Sequence, residues 1–159
     1  MKYPRHPLAE KLAPWGLAAW VVVLTYRHFE PAEVTLSGST LRVEGGLFQR
    51  LSVSVEYLQE VRLLDSLPPV GRRLAGYEMG PRKRGRYEIA DWGTADMFLD
   101  SREPPFLLLR SLRPGTNVII TNSRDPEDTR EAFAFVQRAI AEERAKPPPW
   151  RPPAQPAQP

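Results

Sequence analysis

From Val34 onward apolar and polar positions alternate with a period of two. Val34 and Leu36 alternate with Thr35 and Ser37, and Ser37-Gly38-Ser39 offers a tight turn. Leu41 and Val43 resume the pattern against Arg42 and Glu44, and Gly45-Gly46 breaks it. Leu47, Leu51, Val53 and Val55 then share one face, opposite Arg50, Ser52 and Ser54. This pattern predicts half-buried antiparallel strands. Val61 and Leu63 predict a short fourth strand, closed by Asp65–Pro69.

Strand character returns at Arg86–Ala90, with Tyr87 and Ile89 on one side. Asp91-Trp92-Gly93-Thr94 reads as a turn, and Ala95, Met97 and Leu99 continue beyond it. Pro104-Pro105 punctuates the chain. Phe106–Leu109 and Val118–Ile120 are apolar at every position, which predicts strands covered on both faces. Pro114-Gly115 between them suits the centre of a type II turn and predicts a hairpin. One face of that hairpin looks into the core of its own sheet. The candidates to cover the other are the Trp15–Tyr26 segment and the last helix.

The period then changes to that of a helix. Asp125 suits an N-cap, Pro126 the first helical position, and Glu127 and Asp128 the positive end of the helix dipole. Ala132, Phe133, Val136, Ala139 and Ile140 form one apolar stripe, and the helix fades between Glu142 and Lys146. The tail PPPWRPPAQPAQP can join neither helix nor ladder. Its Pro149-Trp150-Arg151-Pro152 is a PxxP stretch beside an arginine, the type of peptide that docks on aromatic grooves.

Composition narrows the function classes. The 159 residues suffice for one domain with a core plus tails. A net charge of +3 permits attraction to phosphates or anionic lipid without requiring either. No cysteine is present, so thiolate catalysis and zinc–thiolate sites are excluded, and a cytoplasmic location fits. His6 and His28 are the only histidines and lack partners at ligand spacing, so no metal is expected. Asp91, Asp96 and Asp100 read as a turn-forming residue and two solvent-facing carboxylates that share one strand face. There is no GxSxG elbow and no P-loop, so neither an enzyme nor a cofactor is expected.

Trp15–Tyr26 is apolar but shorter than the roughly 20 residues that span a bilayer. Packing on the domain, self-association and membrane contact all fit it, with Trp15, Trp20, Val22 and Leu24 as its candidate interaction surface. Glycines at Gly71, Gly76, Gly80 and Gly85 interleave with arginines and predict sharp bends between strands. Arg72, Arg73, Arg82, Lys83, Arg84 and Arg86 would then gather around exposed backbone N–H groups, a candidate site for a phosphate, anionic lipid or an acidic protein segment. A nucleic-acid partner is not expected, because the nearby Tyr77 and Tyr87 both have packing roles.

VTLSGSTLRVEGGLFQRLSVSVEYLQEVRLL (Val34–Leu64), RRLAGYEMGPRKRGRYEIADWGTADMFL (Arg72–Leu99) and VIITNSRDPEDTREAFAFV (Val118–Val136) resemble the bacterial pleckstrin-homology domain family. The resemblance covers about Ala32 to Ile140. It implies a mainly β fold, a bent antiparallel sheet forming a partial barrel capped by one C-terminal amphipathic helix. It implies no general ligand, and related bacterial members often lie beside membrane helices. The organisation expected is an extension over 1–31, a PH-like domain over 32–145 and a proline-rich tail over 146–159. The function expected is a non-catalytic binding or scaffolding module acting on a protein partner or on itself. The alternative is a module peripheral to the inner face of the cell membrane, using the apolar segment and the basic loop.

Overall fold

The computed structural model describes residues 31–45, 50–112 and 118–146. Its strands are β1 (Glu33–Ser37), β2 (Thr40–Glu44), β3 (Arg50–Ser54), β4 (Leu58–Leu64), β5 (Val70–Met79), β6 (Arg82–Ile89), β7 (Gly93–Leu99), β8 (Phe106–Ser111) and β9 (Val118–Asn122). A single 3₁₀ turn, Val55–Tyr57, precedes β4, and helix α1 (Pro126–Ala145) follows β9. The fold is mainly β with a C-terminal helix, as the alternation and the capping residues predict.

The strands divide into two sheets. β1, β2 and β3 form an antiparallel meander, and the other six run in the order β4-β8-β9-β7-β6-β5. The strands of the expected bent sheet are thus shared between two sheets, neither of them a closed barrel. After β3 the Val55–Tyr57 turn redirects the chain, and the Val55 N–H, donating to the Ser39 carbonyl at 2.8 Å, ends the β2–β3 ladder there. β8 and β9 pair antiparallel, Leu107 opposite Thr121, as the two apolar runs predict. β7 and β9, in contrast, lie parallel, Met97 opposite Ile120, the one exception to antiparallel pairing among the described strands.

The large sheet must curl. β4 and β5 occupy its opposite edges, yet only Asp65–Pro69 joins them. Leu64 aligns through Phe106 and β9 with the C-terminal end of β7, whereas Val70 aligns through Ile89 with Gly93 at its start. In a flat sheet these two residues would be separated by about 24 Å across the strands and about 20 Å along them. Six residue steps reach at most about 21 Å. The edges approach because the sheet bends, although it does not close: β4 and β5 share no ladder.

The bend gives the large sheet a concave and a convex face. Tyr87, Ile89, Ala95, Met97, Leu99, Phe106, Leu108, Val118 and Ile120 fill the concave side, with Leu64, Leu67 and Val70 packed against them. Burial of each large side chain contributes roughly 1.5–3 kcal/mol. The convex face carries Phe98, Leu107, Leu109 and Ile119, covered by Leu41, Val43 and Val53 of the small sheet and by Val136 of α1. This answers the question set by the doubly apolar hairpin. The last helix does cover its outer face, and the small sheet shares the task. α1 lies against β4, β8, β9 and the 3₁₀ turn, with Phe133 and Ile140 half-buried. Asp125 caps it, its Oδ1 accepting from the Glu127 N–H at 2.9 Å.

Candidate functional site

The arginine-rich run forms one long hairpin, β5–β6, and its glycines do not all mark bends. Only Gly80, with φ 61, stands in the turn between Met79 and Arg82. Gly76 and Gly85 face each other in mid-ladder, with φ 98 and 125. A Cβ on Gly76 would lie 2.0 Å from the Arg84 carbonyl oxygen, and one on Gly85 would lie 2.1 Å from that of Ala75. The two strands approach too closely there for any side chain, so these glycines set a crossing rather than a corner.

β6 being a strand, its cations alternate. Arg82, Arg84 and Arg86 point to the convex side, while Lys83 points with Tyr87 to the concave side. The six cations therefore do not surround one exposed glycine loop. Arg84 is only 1% exposed and Arg82 is buried as well. Both converge on Asp100: Arg84 Nη2 donates to Oδ1 at 2.6 Å, and Arg82 Nε lies 3.1 Å from the same oxygen. The other oxygen, Oδ2, accepts from the Ala32 N–H at 2.7 Å. The Asp100 N–H is itself held by Asn122 Oδ1 at 3.1 Å. Gly45 passes directly above, since a Cβ there would stand 2.9 Å from Phe98 and 3.0 Å from Arg84 Nε.

The remaining cations also meet carboxylates. Arg86 forms a two-pronged pair with Asp96, Nε to Oδ1 at 3.0 Å and Nη2 to Oδ2 at 2.9 Å. That contact raises the arginine above its ordinary pKa, hydrogen bonding first and charge second. Lys83 Nζ donates to Glu78 at 3.2 Å and is the main reason the Glu78 carboxyl is held below its usual range. Arg72 Nη2 donates to Glu88 at 3.1 Å on the surface. Arg73 lies on the exposed outer strand, close enough to Glu78 to help lower its pKa. Burial, followed by the nearby Glu78 charge, pushes the Tyr87 hydroxyl up to about 12. That hydroxyl donates to the Tyr77 carbonyl at 3.3 Å.

Two expectations are corrected by this geometry. Asp96 and Asp100 do share a face, but they are buried beneath the small sheet and do not face solvent. The basic residues do not form a continuous free patch, because strand alternation sends them to opposite faces and acids meet them there. The period-two spacing of Arg82, Arg84 and Arg86, matched by Asp96 and Asp100 four apart, carried that signal in the sequence. Trp15, Trp20, Val22 and Leu24 lie outside the described residues, as do the Pro114-Gly115 turn and the PxxP stretch.

Three surface features emerge. A hollow of 270 Å³ between β3 and the hairpin is lined by Arg50, Leu51, Ala75, Gly85, Arg86, Asp96 and Phe98. Along the sheet edge, β5 exposes every residue except Val70 and Tyr77, including Leu74 at 42% and Met79 at 46%. At the end of the sheet, in the β6–β7 turn, Trp92 stacks under the Arg110 guanidinium, 5.3 Å from its ring centre. Among the described residues no cluster of acidic or histidine side chains could hold a metal, and no helix is long and apolar enough to cross a membrane. No protein-family model, curated protein or solved structure matches this chain.

Proposed function

We propose that this chain is a non-catalytic, pleckstrin-homology-like binding module that acts through protein contacts, with β5 as its contact strand. The order of antiparallel strands followed by one amphipathic helix supports the PH-like reading. One observation carries the choice of surface: β5 ends the large sheet, bonds to β6 on one side, and leaves its outer edge exposed among the described residues. An extended segment adds to such an edge through main-chain hydrogen bonds, and side chains on alternate positions give specificity. Register shifts around Arg73 and the positive φ of Gly76 interrupt the first part of the strand, so Tyr77–Met79 is where the segment pairs. Arg73, exposed on the strand beside it, favours an acidic partner.

Contact with an anionic membrane is the competing use of the hairpin's arginines. The carboxylates beside Arg72, Lys83, Arg84 and Arg86 reduce the charge these cations can offer to head groups. A cytoplasmic setting goes with the protein-contact reading.

The test is a displayed library of extended acidic and neutral peptides, panned against the full chain and followed by NMR. Selected peptides should shift the Tyr77, Glu78 and Met79 amides and lose binding when Glu78→Pro removes an amide from the strand. Peptides that shift only other surfaces would overturn the assignment to β5. So would salt-sensitive cosedimentation with phosphatidylserine vesicles that Arg72→Glu and Arg73→Glu abolish.

A further inference from the structure

The fold gives the proline-rich tail a place to go. At one end of the large sheet, where the β6–β7 turn meets the end of β8 and β4, there is a hollow of 340 Å³ whose walls include Gln59, Asp91, Trp92, Arg110, Ser111 and Leu112. Leu112 is 63% exposed, so an aliphatic side chain faces the Trp92 indole's hollow from its rim. Proline residues carry no N–H, so a polyproline strand offers carbonyl acceptors and ring methylenes only. A surface that binds it must supply aromatic faces and donors. This one has both: the indole and the guanidinium stacked on it, and the Gln59 amide. Neither the Trp92 indole N–H nor the Gln59 amide has a hydrogen-bond partner among the described residues.

The chain's own geometry supplies the ligand. α1 ends at Ala145, and its last turns form a second hollow of 280 Å³ from Gln137, Ile140, Ala141 and Arg144 against Leu58, Gln59 and Val61. Gln59 is a wall of both hollows. It stands at the irregularity in β4, where the register slips between Leu58 and Glu60. The two hollows thus meet around this edge strand, one on the helix side and one on the Trp92 side. Residues 147–159 begin beside the first and, at about 3.1 Å per residue when extended, reach roughly 40 Å, ample to pass Gln59 and enter the second. Charge agrees with the path, since Arg151 of the tail would meet Asp91 in the wall of the second hollow.

We propose that residues 147–159 of this same chain dock intramolecularly in the Trp92–Arg110 hollow as an extended polyproline strand. The proposal is independent of β5, none of whose residues lines the hollow.

The chain has no cysteine, so Gln158→Cys gives a unique attachment point for a nitroxide on the full-length protein. The Trp92 indole and Leu112 amide signals should lose intensity relative to the reduced, diamagnetic sample, at every protein concentration. Leu112→Ser and Arg151→Glu, both changes outside the core, should each restore intensity at Trp92. Broadening centred elsewhere, or absent, would overturn the proposal. A mixture of spin-labelled chain and unlabelled ¹⁵N chain decides the occupant: broadening of the ¹⁵N signals at Trp92 would mean that a second copy supplies the tail, which also overturns it.

Discussion

The two faces of the large sheet are built from the same strands and stabilised differently. The concave face is apolar throughout its centre and is closed by the bend of the sheet, with Leu64, Leu67 and Val70 arriving from its own edges. The convex face is half apolar and half ionic. Toward β8 it offers Leu107, Leu109 and Ile119 to α1 and the small sheet. Toward β6 it places two arginines over one aspartate beneath Gly45. Apolar burial tolerates small adjustments, whereas a buried ion pair depends on every partner staying in place. The concave face therefore holds the sheet together, and the ionic half of the convex face holds the segment that leads into β1, through the Ala32 N–H on Asp100.

The largest effect is expected at that carboxylate. Asp100→Ala removes the acceptor on which Arg82, Arg84 and the Ala32 N–H converge and leaves buried positive charge behind, a loss of about 3–5 kcal/mol. Arg84→Met should cost distinctly less. Asp100 keeps Arg82 and Ala32, and a buried guanidinium with an unbonded Nη1 is removed. Urea denaturation of both variants gives the order, and an Arg84→Met loss equal to that of Asp100→Ala would break the asymmetry claimed for this face.

Next in size, adjacent leucines of β8 separate the two faces. Leu108 is buried on the concave side and Leu109 on the convex side. Either change to Ala should cost about 2–5 kcal/mol. Their signatures should differ in amide exchange. Leu109→Ala loosens α1 ahead of the sheet, because the helix docks on that face, whereas Leu108→Ala lowers protection of the whole molecule together. Identical exchange patterns would mean that the helix is no separate layer.

The same contrast shows why some of this structure was legible in the sequence and some was not. Alternation at Val34–Glu44 and the caps around Asp125 are local, and both elements form where the residues predict. The continuous apolar run Phe106–Leu109 correctly demanded cover on both faces. β5 was not legible. VGRRLAGYEM has no apolar period, because the strand is exposed on the sheet edge and no core selects its side chains. Gly76 and Gly85 misled for a related reason: glycine marks both a bend and a close approach of two strands, and only the partner strand distinguishes them. The candidate site depended on this. Reading the stretch around Gly85 as a bend gathers its cations into one patch, while reading all of β6 as a strand sends Arg82 and Arg84 inward to Asp100.

Tyr87, on the concave side, offers a smaller and pH-gated probe. Its hydroxyl is neutral well beyond the ordinary tyrosine value of 10.0, up to about 12, because burial and Glu78 disfavour the anion. Between these limits the unfolded chain releases the proton and the folded one keeps it. Stability is therefore full below pH 10 and falls as pH rises toward 12, with a slope of up to about 1.4 kcal/mol per pH unit. Tyr87→Phe should be less stable near neutrality, through loss of the bond to the Tyr77 carbonyl, but should lack this extra alkaline loss relative to the parent. Parallel stability–pH curves for the two proteins above pH 10 would show that the Tyr87 hydroxyl is not shielded as described.

The smallest effect lies at the surface end of the same hairpin. Arg72 and Glu88 are joined at 3.1 Å, but 75% of the arginine side chain and 47% of the glutamate side chain remain exposed. Water and salt screen such a pair, and ordering a long side chain offsets most of its attraction, so Arg72→Ala should cost under about 1 kcal/mol. The value of the comparison with Asp100 is that distance does not separate the two cases. Arg82 stands the same 3.1 Å from its acid as Arg72 does from Glu88. Burial and the number of partners differ, and they set both the cost of losing a partner and the sensitivity to ions. Raising salt should erase the Arg72→Ala difference in a urea midpoint while leaving that of Asp100→Ala almost unchanged. If both shrank in proportion, the convex-face arginines would be solvated after all, and the basic residues would again be available together to an anionic partner.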